Sequence, residues 1–202
     1  SAFAHEVVPT WGRDSEGRKA ILTQDQCIRR DTSLEALGTL DPVFMPEGGT
    51  VTAGNSSPMS VGAAAVLMMS AGKARELGLR PRVKVRSMAI AGVDPSIMGI
   101  GPVPAVQKAL KKAGLSLADI DIIELNEAFA VQTLVCQRQL GIPDEKLNVW
   151  GGAIALGHPV GATGACLTAK AVHILKEYEK RYAVVTMCIG GGQGGGLIIE
   201  RC

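Results

Sequence analysis

The feature that most constrains this chain is the regular alternation of strand and helix patterns that begins at Val83. Alternating or continuous apolar runs predict strands, and amphipathic segments with proline or glycine near their ends predict helices. The strands are predicted at 83–91, 120–125, 148–150, 182–188 and 196–200, and the helices at 104–113, 127–140 and 162–180. This βαβαβαββ order is typical of an α/β fold and predicts a mostly parallel, five-stranded sheet with helices on both faces.

The residues before Val83 are less regular. Residues 1–48 are too few to enclose a core, and we expect them to pack on another part of the protein as an excursion. Thr32 with Glu35 predicts a capping box at the start of a short helix that Pro42 ends. The other elements predicted in this region are two short strands, a buried apolar strand and a second helix, at Glu6–Pro9, Ala20–Thr23, Ala63–Met69 and Lys73–Leu77.

Composition excludes several classes of protein. The chain has 202 residues, enough for one core or for one domain and part of another. Its formal net charge of +2 does not indicate nucleic acid or an anionic membrane as the main partner, and no apolar run is long enough to predict a membrane span. The five cysteines are irregularly spaced without a C-x-x-C pair, which argues against a disulfide framework or a zinc site and favours a reducing compartment.

Three chemically active side chains fall where predicted strands end or the following turns begin: Asn126, His158 and Cys188. Ligands of open α/β sheets bind outside the carboxyl ends of the strands, so these residues are expected to converge although they are distant in sequence.

Two interpretations of Asn126 stay open from the residues alone: an N-cap for the following helix, or an amide that holds a water or a carbonyl oxygen. His158 lies between Gly157 and Pro159, just ahead of a helix whose N-terminal dipole disfavours a charged imidazolium. A neutral imidazole there can donate an N–H to an oxyanion or accept a proton from a thiol.

Cys188 closes a predicted strand and opens a glycine-rich turn. The backbone N–H groups of Gly190 and Gly191 are unshielded by side chains, so we expect them to form an oxyanion hole and to lower the pKa of the Cys188 thiol. Cys136 and Cys166, both inside predicted helices, are interpreted as inert small apolar residues.

Other ligand sites are not supported by the sequence. The glycines at 190–196 lie between two strands, which excludes a dinucleotide fingerprint, and they lack the Gly-Lys-Ser/Thr of a phosphate-binding loop. His158 and Cys188 without a third ligand do not make a metal site. We therefore predict no metal.

Four segments together resemble the thiolase family over essentially the whole chain. Asn126–Ala130 resembles the family's N-E-A-F segment, Gly151–Gly164 its G-G-A-I-A-x-G-H-P-x-G-x-S/T-G signature, and Met187–Gly194 its C-x-G-G-G-x-G signature. Thr50–Ser57 is similar to its T-A-G-N-x-S stretch. Thiolases cleave 3-ketoacyl-CoA with a second coenzyme A, and Val93–Pro104 is most similar to the degradative enzymes of fatty-acid β-oxidation.

The resemblance implies a role for each residue of the site. His158 would activate a nucleophilic cysteine and, with a water held by Asn126, bind the thioester oxygen. Cys188 would exchange a proton with the acetyl-CoA carbon, and the Gly190 N–H would contribute a second oxyanion hole. Coenzyme A would be a substrate, with no permanently bound cofactor. The residues implied to contact it are Ser57, Ala128, Phe129 and Arg29, although Arg29 is equally explained as a solvated charge.

The sequence also departs from the family pattern. The nucleophilic cysteine lies in an N-terminal half that we expect to be absent here, so the chain alone is expected to be inactive. We expect residues 1–48 to be the remainder of a loop excursion, 49–78 the last strand and helix of the N-terminal domain, and 79–202 the C-terminal domain. Val61 and Cys166 stand where the family commonly has aspartate and arginine.

The resemblance also implies partners and a compartment. These are acyl-CoA and coenzyme A, the N-terminal half of the same enzyme, and a homo-oligomer when intact, in a bacterial cytoplasm or, in a eukaryote, in mitochondria or peroxisomes. Three other functions stay open: a biosynthetic acetoacetyl-CoA thiolase, a non-catalytic CoA-binding or structural protein with the same fold, and a cysteine hydrolase that uses Cys188 and His158.

Overall fold

The computed structural model describes Phe3 and residues 7–202. The strands are β1 (Thr10–Arg13), β2 (Lys19–Leu22), β3 (Val83–Gly92), β4 (Ile122–Leu125), β5 (Tyr182–Ile189) and β6 (Gln193–Arg201). The α-helices are α1 (Leu34–Gly38), α2 (Ala71–Glu76), α3 (Pro102–Ala113), α4 (Ala130–Leu140), α5 (Ala153–Leu156) and α6 (Thr163–Glu177).

The main sheet has four strands in the order β3-β6-β5-β4. Only β4 and β5 are parallel, whereas β5–β6 and β6–β3 are antiparallel. The α/β class is confirmed, but the expectation of a mostly parallel, five-stranded sheet was wrong. The turn Gly190–Gly192 is too short for a crossover, so β6 must return beside β5 in the opposite direction.

The strand predicted at 148–150 does not form. Leu147 makes an isolated bridge to Ile123 of β4, and the next residue, Asn148, turns into the left-handed region with φ 46°. Its side chain then bonds the Leu125 backbone instead, donating from Nδ2 to the carbonyl and accepting at Oδ1 from the N–H, each at 2.9 Å. A buried amide thus takes over the hydrogen bonds that another strand would have supplied.

Helices cover both faces of the sheet, as predicted. On one face α3 packs through Val106 and Ala109 against Ile123 and Val184, and on the other α6 packs against Ile122 of β4 and its neighbours. Successive residues of a strand point to opposite faces, so β4 and β5 contribute to both cores. Each core buries a continuous apolar surface, which fixes the ends of β4 and β5 relative to α6.

The region before β3 is built differently. β1 and β2 form a small antiparallel hairpin, and α1 is capped by Ser33, whose Oγ accepts from the Ala36 N–H at 3.1 Å, rather than by Thr32. The first strand was expected at Glu6–Pro9; Glu6 lies outside the described residues, and the strand found is Thr10–Arg13.

The predicted buried strand at Ala63–Met69 was wrong for this chain. The segment is irregular and exposed, with Leu67 82% accessible to solvent. A strand needs a neighbouring strand for its backbone groups and a facing surface for its apolar side chains. No neighbouring strand is described for this segment, and its side chains are all exposed.

Among the residues that the structure describes, no helix is both long and apolar enough to cross a membrane. No group of three or more histidine, cysteine, aspartate or glutamate side chains within this same set is arranged to hold a metal ion.

Candidate active site

Asn126 lies directly after β4 and is almost fully buried. Its backbone N–H donates to the Thr186 carbonyl of β5 at 3.0 Å, which continues the parallel pairing by one residue. It is not an N-cap, because α4 begins only at Ala130 and Phe129 precedes it without a side-chain cap. The Asn126 side chain is therefore free of helix capping and points into the site.

The Asn126 amide meets the imidazole of His158. The distance from Asn126 Nδ2 to His158 Nε2 is 3.4 Å, and Oδ1 of the same amide is buried without a hydrogen-bond partner among the described residues. A buried amide oxygen is ordinarily satisfied by a donor. This oxygen consequently marks a position where a water or a polar ligand atom can bind.

His158 is fixed from both ring nitrogens. Its Nδ1 lies 2.7 Å from Thr163 Oγ1, and Thr163 Oγ1 in turn donates to the Pro159 carbonyl at 3.0 Å. Because the Thr163 hydroxyl proton is used in the bond to Pro159, Thr163 Oγ1 accepts from Nδ1–H. Nε2 then carries the lone pair that faces the Asn126 amide. An imidazole in this tautomer can take up a proton at Nε2.

Burial lowers the pKa of His158 below its ordinary value. The direction agrees with the neutral imidazole expected from the sequence, and the cause is the loss of solvent around the ring. A neutral ring at physiological pH is the form that acts as a base.

Cys188 lies near the end of β5, two residues after the carbonyl that holds Asn126, and pairs with Gly194 of β6. The turn Gly190–Gly192 follows it, as predicted. Gly190 is exposed, and nothing lies within 4 Å of a Cβ built on it. Its backbone is therefore open to a ligand.

The expectation of a lowered thiol pKa at Cys188 was wrong. Burial raises the pKa of this thiol, an effect larger than the opposing hydrogen bond from its own backbone. Desolvation disfavours the thiolate. Cys188 is thus a protonated thiol near neutral pH, suited to donating a proton rather than to attacking a carbonyl.

The segment around Ser57 is joined to the same site. Ser57 donates from its backbone N–H and from Oγ to the Ala128 carbonyl, at 3.0 and 3.3 Å. The Pro58 carbonyl accepts from the His158 N–H at 3.1 Å. Phe129 stacks edge-on against Phe44, with ring centroids 5.8 Å apart. The predicted residues Ser57 and Ala128 are therefore bonded to each other beside the Asn126–His158 pair, and Phe129 follows Ala128 directly.

Arg29 is not brought to this cluster by any contact described. It is exposed in the loop after β2. The two interpretations of Arg29 given by the sequence both remain predictions.

Sequence reasoning missed three supporting residues. Thr163 sets the tautomer of His158; the signal for it was a hydroxyl at the start of α6, five residues after the histidine. Glu127 accepts from Asn148 Nδ2 at 2.8 Å and from the Ile154 N–H at 3.2 Å, and a Cβ on Gly152 would overlap its carboxylate. Lys170, buried within α6, had no signal in the sequence pattern.

Comparison with known proteins gives a consistent assignment. Residues 79–201 match the model of the thiolase C-terminal domain, and residues 1–72 match that of the thiolase N-terminal domain. The chain is 53% identical over 203 residues to the 3-ketoacyl-CoA thiolase of Salmonella typhimurium and 54% identical over 202 residues to that of Marinomonas sp., which covers 99% and 98% of this chain. It covers 52% of each relative, so the chain spans about half their length.

Solved structures agree with the sequence comparison. The crystal structure of the Bacillus anthracis acetyl-CoA acetyltransferase matches with a TM-score of 0.93 and 41% identity, over 100% of this chain and 50% of that one. Human mitochondrial 3-ketoacyl-CoA thiolase matches with a TM-score of 0.89 and 43% identity over 100% of this chain and 50% of the human one. The same human enzyme in complex with CoA matches with a TM-score of 0.83 and 44% identity, over 90% and 46%. The chain belongs to the thiolase family.

Proposed function

We propose that this chain supplies the acid–base and oxyanion-binding part of a 3-ketoacyl-CoA thiolase, an acyltransferase of fatty-acid β-oxidation. The observation that carries the proposal is the buried Asn126–His158 contact, with an unpartnered amide oxygen beside a basic imidazole nitrogen. Together they are suited to bind a water and the thioester oxygen that becomes an enolate.

The proposed reaction divides the chemistry between two parts of the enzyme. His158 Nε2 accepts the proton of a cysteine thiol that this chain does not supply, and that sulfur attacks the 3-keto carbon. The C2–C3 bond breaks and leaves an acyl group on sulfur and the enolate of acetyl-CoA. The protonated Cys188 thiol then donates a proton to the enolate carbon, which gives acetyl-CoA, and the Cys188 thiolate takes the proton of the coenzyme A thiol. The coenzyme A sulfur attacks the acyl group, and the departing cysteine sulfur regains its proton from His158.

The identity of the substrate is supported by similarity. Both curated relatives are named 3-ketoacyl-CoA thiolase, and the human structure that contains CoA matches over most of this chain. We propose that Ser57, Ala128, Phe129 and Arg29 contact coenzyme A and that the Gly190 N–H binds an oxyanion. We also propose the bacterial cytoplasm as the compartment, because both of those relatives come from bacteria.

The proposed domain division is 1–48 for the loop excursion, 49–78 for the end of the N-terminal domain and 79–202 for the C-terminal domain. The change of matching family model between residues 72 and 79 supports the second boundary. The N-terminal half of the enzyme, and a second copy of the intact enzyme, are the proposed protein partners.

A thiolysis assay tests the proposal. The chain alone should not cleave acetoacetyl-CoA or longer 3-ketoacyl-CoA, and adding a polypeptide with the N-terminal half of a thiolase should give activity. In that mixture His158→Asn and Cys188→Ser should each lower kcat by at least about a hundredfold, since general acid–base catalysis contributes about 10²–10⁴. Robust turnover by the chain alone would refute the division of labour.

A biosynthetic acetoacetyl-CoA thiolase is the second candidate, and the Bacillus anthracis acetyltransferase structure favours it. The two candidate enzymes differ in the length of the acyl chain that they accept. A mixture that cleaves acetoacetyl-CoA but not 3-ketoacyl-CoA of eight or more carbons would favour the biosynthetic enzyme.

A further inference from the structure

Lys170 is a charged residue that is almost completely buried. Its side chain on α6 is only 8% exposed, and that of Glu124 on β4, 3.7 Å away from Nζ to Oε2, is fully buried. The Lys170 ammonium also donates to the Gly151 carbonyl at 3.1 Å and lies 5.9 Å from the centre of the Phe3 ring. One ammonium thus connects α6, β4 and the turn before α5.

These contacts close a ring around the proposed site. Glu124 is two residues before Asn126, the Asn126 amide meets His158, and the other ring nitrogen of His158 meets Thr163. Thr163 and Lys170 both belong to α6, seven residues apart, which places them on nearly the same side of the helix. The Lys170–Glu124 contact returns the ring to β4.

Stability alone does not account for this ion pair. Removing two charges from water is unfavourable, and well-packed apolar residues are often as stabilising as a buried pair. Buried ionic groups are retained in some proteins because they specify one geometry. Here the pair joins β4, which ends just before Asn126, to α6, which begins with Thr163.

We propose that Lys170 is a positioning residue, which through Glu124 and the Gly151 carbonyl holds the Asn126 amide against the Nε2 atom of His158. The proposal deepens the proposed function and rests on it for its meaning in catalysis. Lys170 does not contact the reacting atoms in this account. It acts on them through the two elements that it joins.

Nitrogen-15 NMR of the His158 imidazole in the full chain tests the proposal without any turnover. The variant is Glu124→Gln with Lys170→Met, which removes both charges together and so avoids leaving a buried, unpaired carboxylate. We expect the unmodified chain to show the Nδ1–H tautomer of His158. In the double variant we expect a mixture of tautomers, because Nε2 loses the Asn126 N–H that keeps it an acceptor. We also expect a rise in the His158 pKa toward about 6.5, because water enters between Asn126 and the imidazole.

Three further variants make the result specific. Lys176→Met removes an exposed lysine from the same helix and should leave the His158 signals unchanged. Lys170→Arg keeps the positive charge, so His158 should stay in the Nδ1–H tautomer. Glu124→Gln with Lys170→Gln keeps a donor for the Gly151 carbonyl and leaves no buried, unpaired carboxylate, and it replaces the first double variant if that one does not fold. It should shift the tautomer in the same direction.

An unchanged His158 tautomer and pKa in either double variant, once it is shown to be folded, would overturn the proposal. The readout is independent of the thiolysis assay. If Lys170 has no positioning role, the mixture with the N-terminal half should still cleave 3-ketoacyl-CoA. If the chain is not part of a thiolase, the variants should still change the tautomer of His158.

Discussion

The regions before and after residue 79 differ in how they use apolar side chains. After residue 79 the chain encloses two cores, one on each face of the sheet, in which residues such as Ile198 and Leu175 are completely buried. Among the described residues before 79, only Ala74 is buried, although large apolar side chains are frequent there. Apolar content alone does not make a core; it must be arranged against a facing surface.

The exposed region nevertheless contributes to the site. Ser57 and Pro58 are hydrogen-bonded to Ala128 and His158, so one short segment is anchored to the region after residue 79, while the side chains of 61–69 that follow it remain exposed. Contiguous exposed apolar surface of this kind marks an interaction surface. We interpret 61–69 as the part of this chain that contacts the proposed N-terminal half.

The largest expected difference between the regions is in amide hydrogen exchange. Amides of β5 and β6 should exchange only through global unfolding, at least about a thousandfold more slowly than those of 61–69, which are exposed in the folded state. Exchange measured by mass spectrometry at two protein concentrations checks this. Equal protection in both regions would break the comparison, and protection of 61–69 only at the higher concentration would reveal self-association through this segment.

Truncating one apolar side chain in each region should give the next largest contrast. Ile198→Ala removes a fully buried side chain of β6 from the core on the α3 face and should lower the free energy of unfolding by about 2–5 kcal/mol. Leu67→Ala, at an 82% exposed position, should change it by less than about 0.5 kcal/mol. Urea unfolding followed by circular dichroism measures both. A loss at Leu67 as large as that at Ile198 would mean that the first region has a core of its own.

In the region after residue 79, cysteine thiols should react more slowly the more deeply they are buried. Burial raises the pKa of Cys136 to about 11 from 9.0, which lowers its thiolate fraction about a hundredfold at neutral pH, and it raises the pKa of Cys188 as well. With iodoacetamide we expect the exposed Cys202 to react first, Cys188 later and Cys136 last. Peptide mass spectrometry gives the order, with Cys188→Ser as the control. Rapid alkylation of Cys188 ahead of Cys202 would contradict a protonated, desolvated thiol.

The smallest expected effect is the pH dependence contributed by His158. Its folded-state pKa is lowered by burial, so the unfolded chain binds the proton more strongly. Its stabilising contribution is complete above the ordinary value near 6.5 and is lost as the pH falls through 6.5 toward the lower folded pKa. The difference in stability between the unmodified chain and His158→Asn should therefore shrink in acid. A difference that grows in acid would mean that the folded pKa is raised.

The sequence predicted local structure well wherever the signal itself was local. Strand β3 was expected at 83–91 and is found at Val83–Gly92, and Gly114 ends α3 in the left-handed conformation as its C-cap position predicts. The turn after Cys188 was also predicted, because three consecutive glycines permit the positive φ of 86° and 87° found at Gly191 and Gly192.

The wrong predictions concern features that depend on residues distant in sequence. The apolar pattern of a strand does not specify which strands lie beside it, so the strand order of the sheet could not be predicted from periodicity. For the same reason the pattern did not reveal that the Asn148 side chain, and not a strand, bonds the backbone of β4. The apolar run Ala63–Met69 has the composition of a buried strand, but burial depends on a surface that this chain does not place against it. At the site, the strand ends predicted the places of Asn126 and Cys188, whereas His158 follows the short helix α5 and not a strand. Thr163, Glu127 and Lys170 are recognisable only once the elements are packed together.

The central claim is that Asn126, His158 and Cys188 handle protons and oxyanions, and that the acyl group is carried elsewhere. Peptide mass spectrometry of the chain after incubation with a 3-ketoacyl-CoA, with and without the N-terminal half of a thiolase, tests this most directly. The account predicts no acyl group on Cys188 in either sample and an acyl-cysteine on the added half alone. A stoichiometric acyl-Cys188 would contradict it.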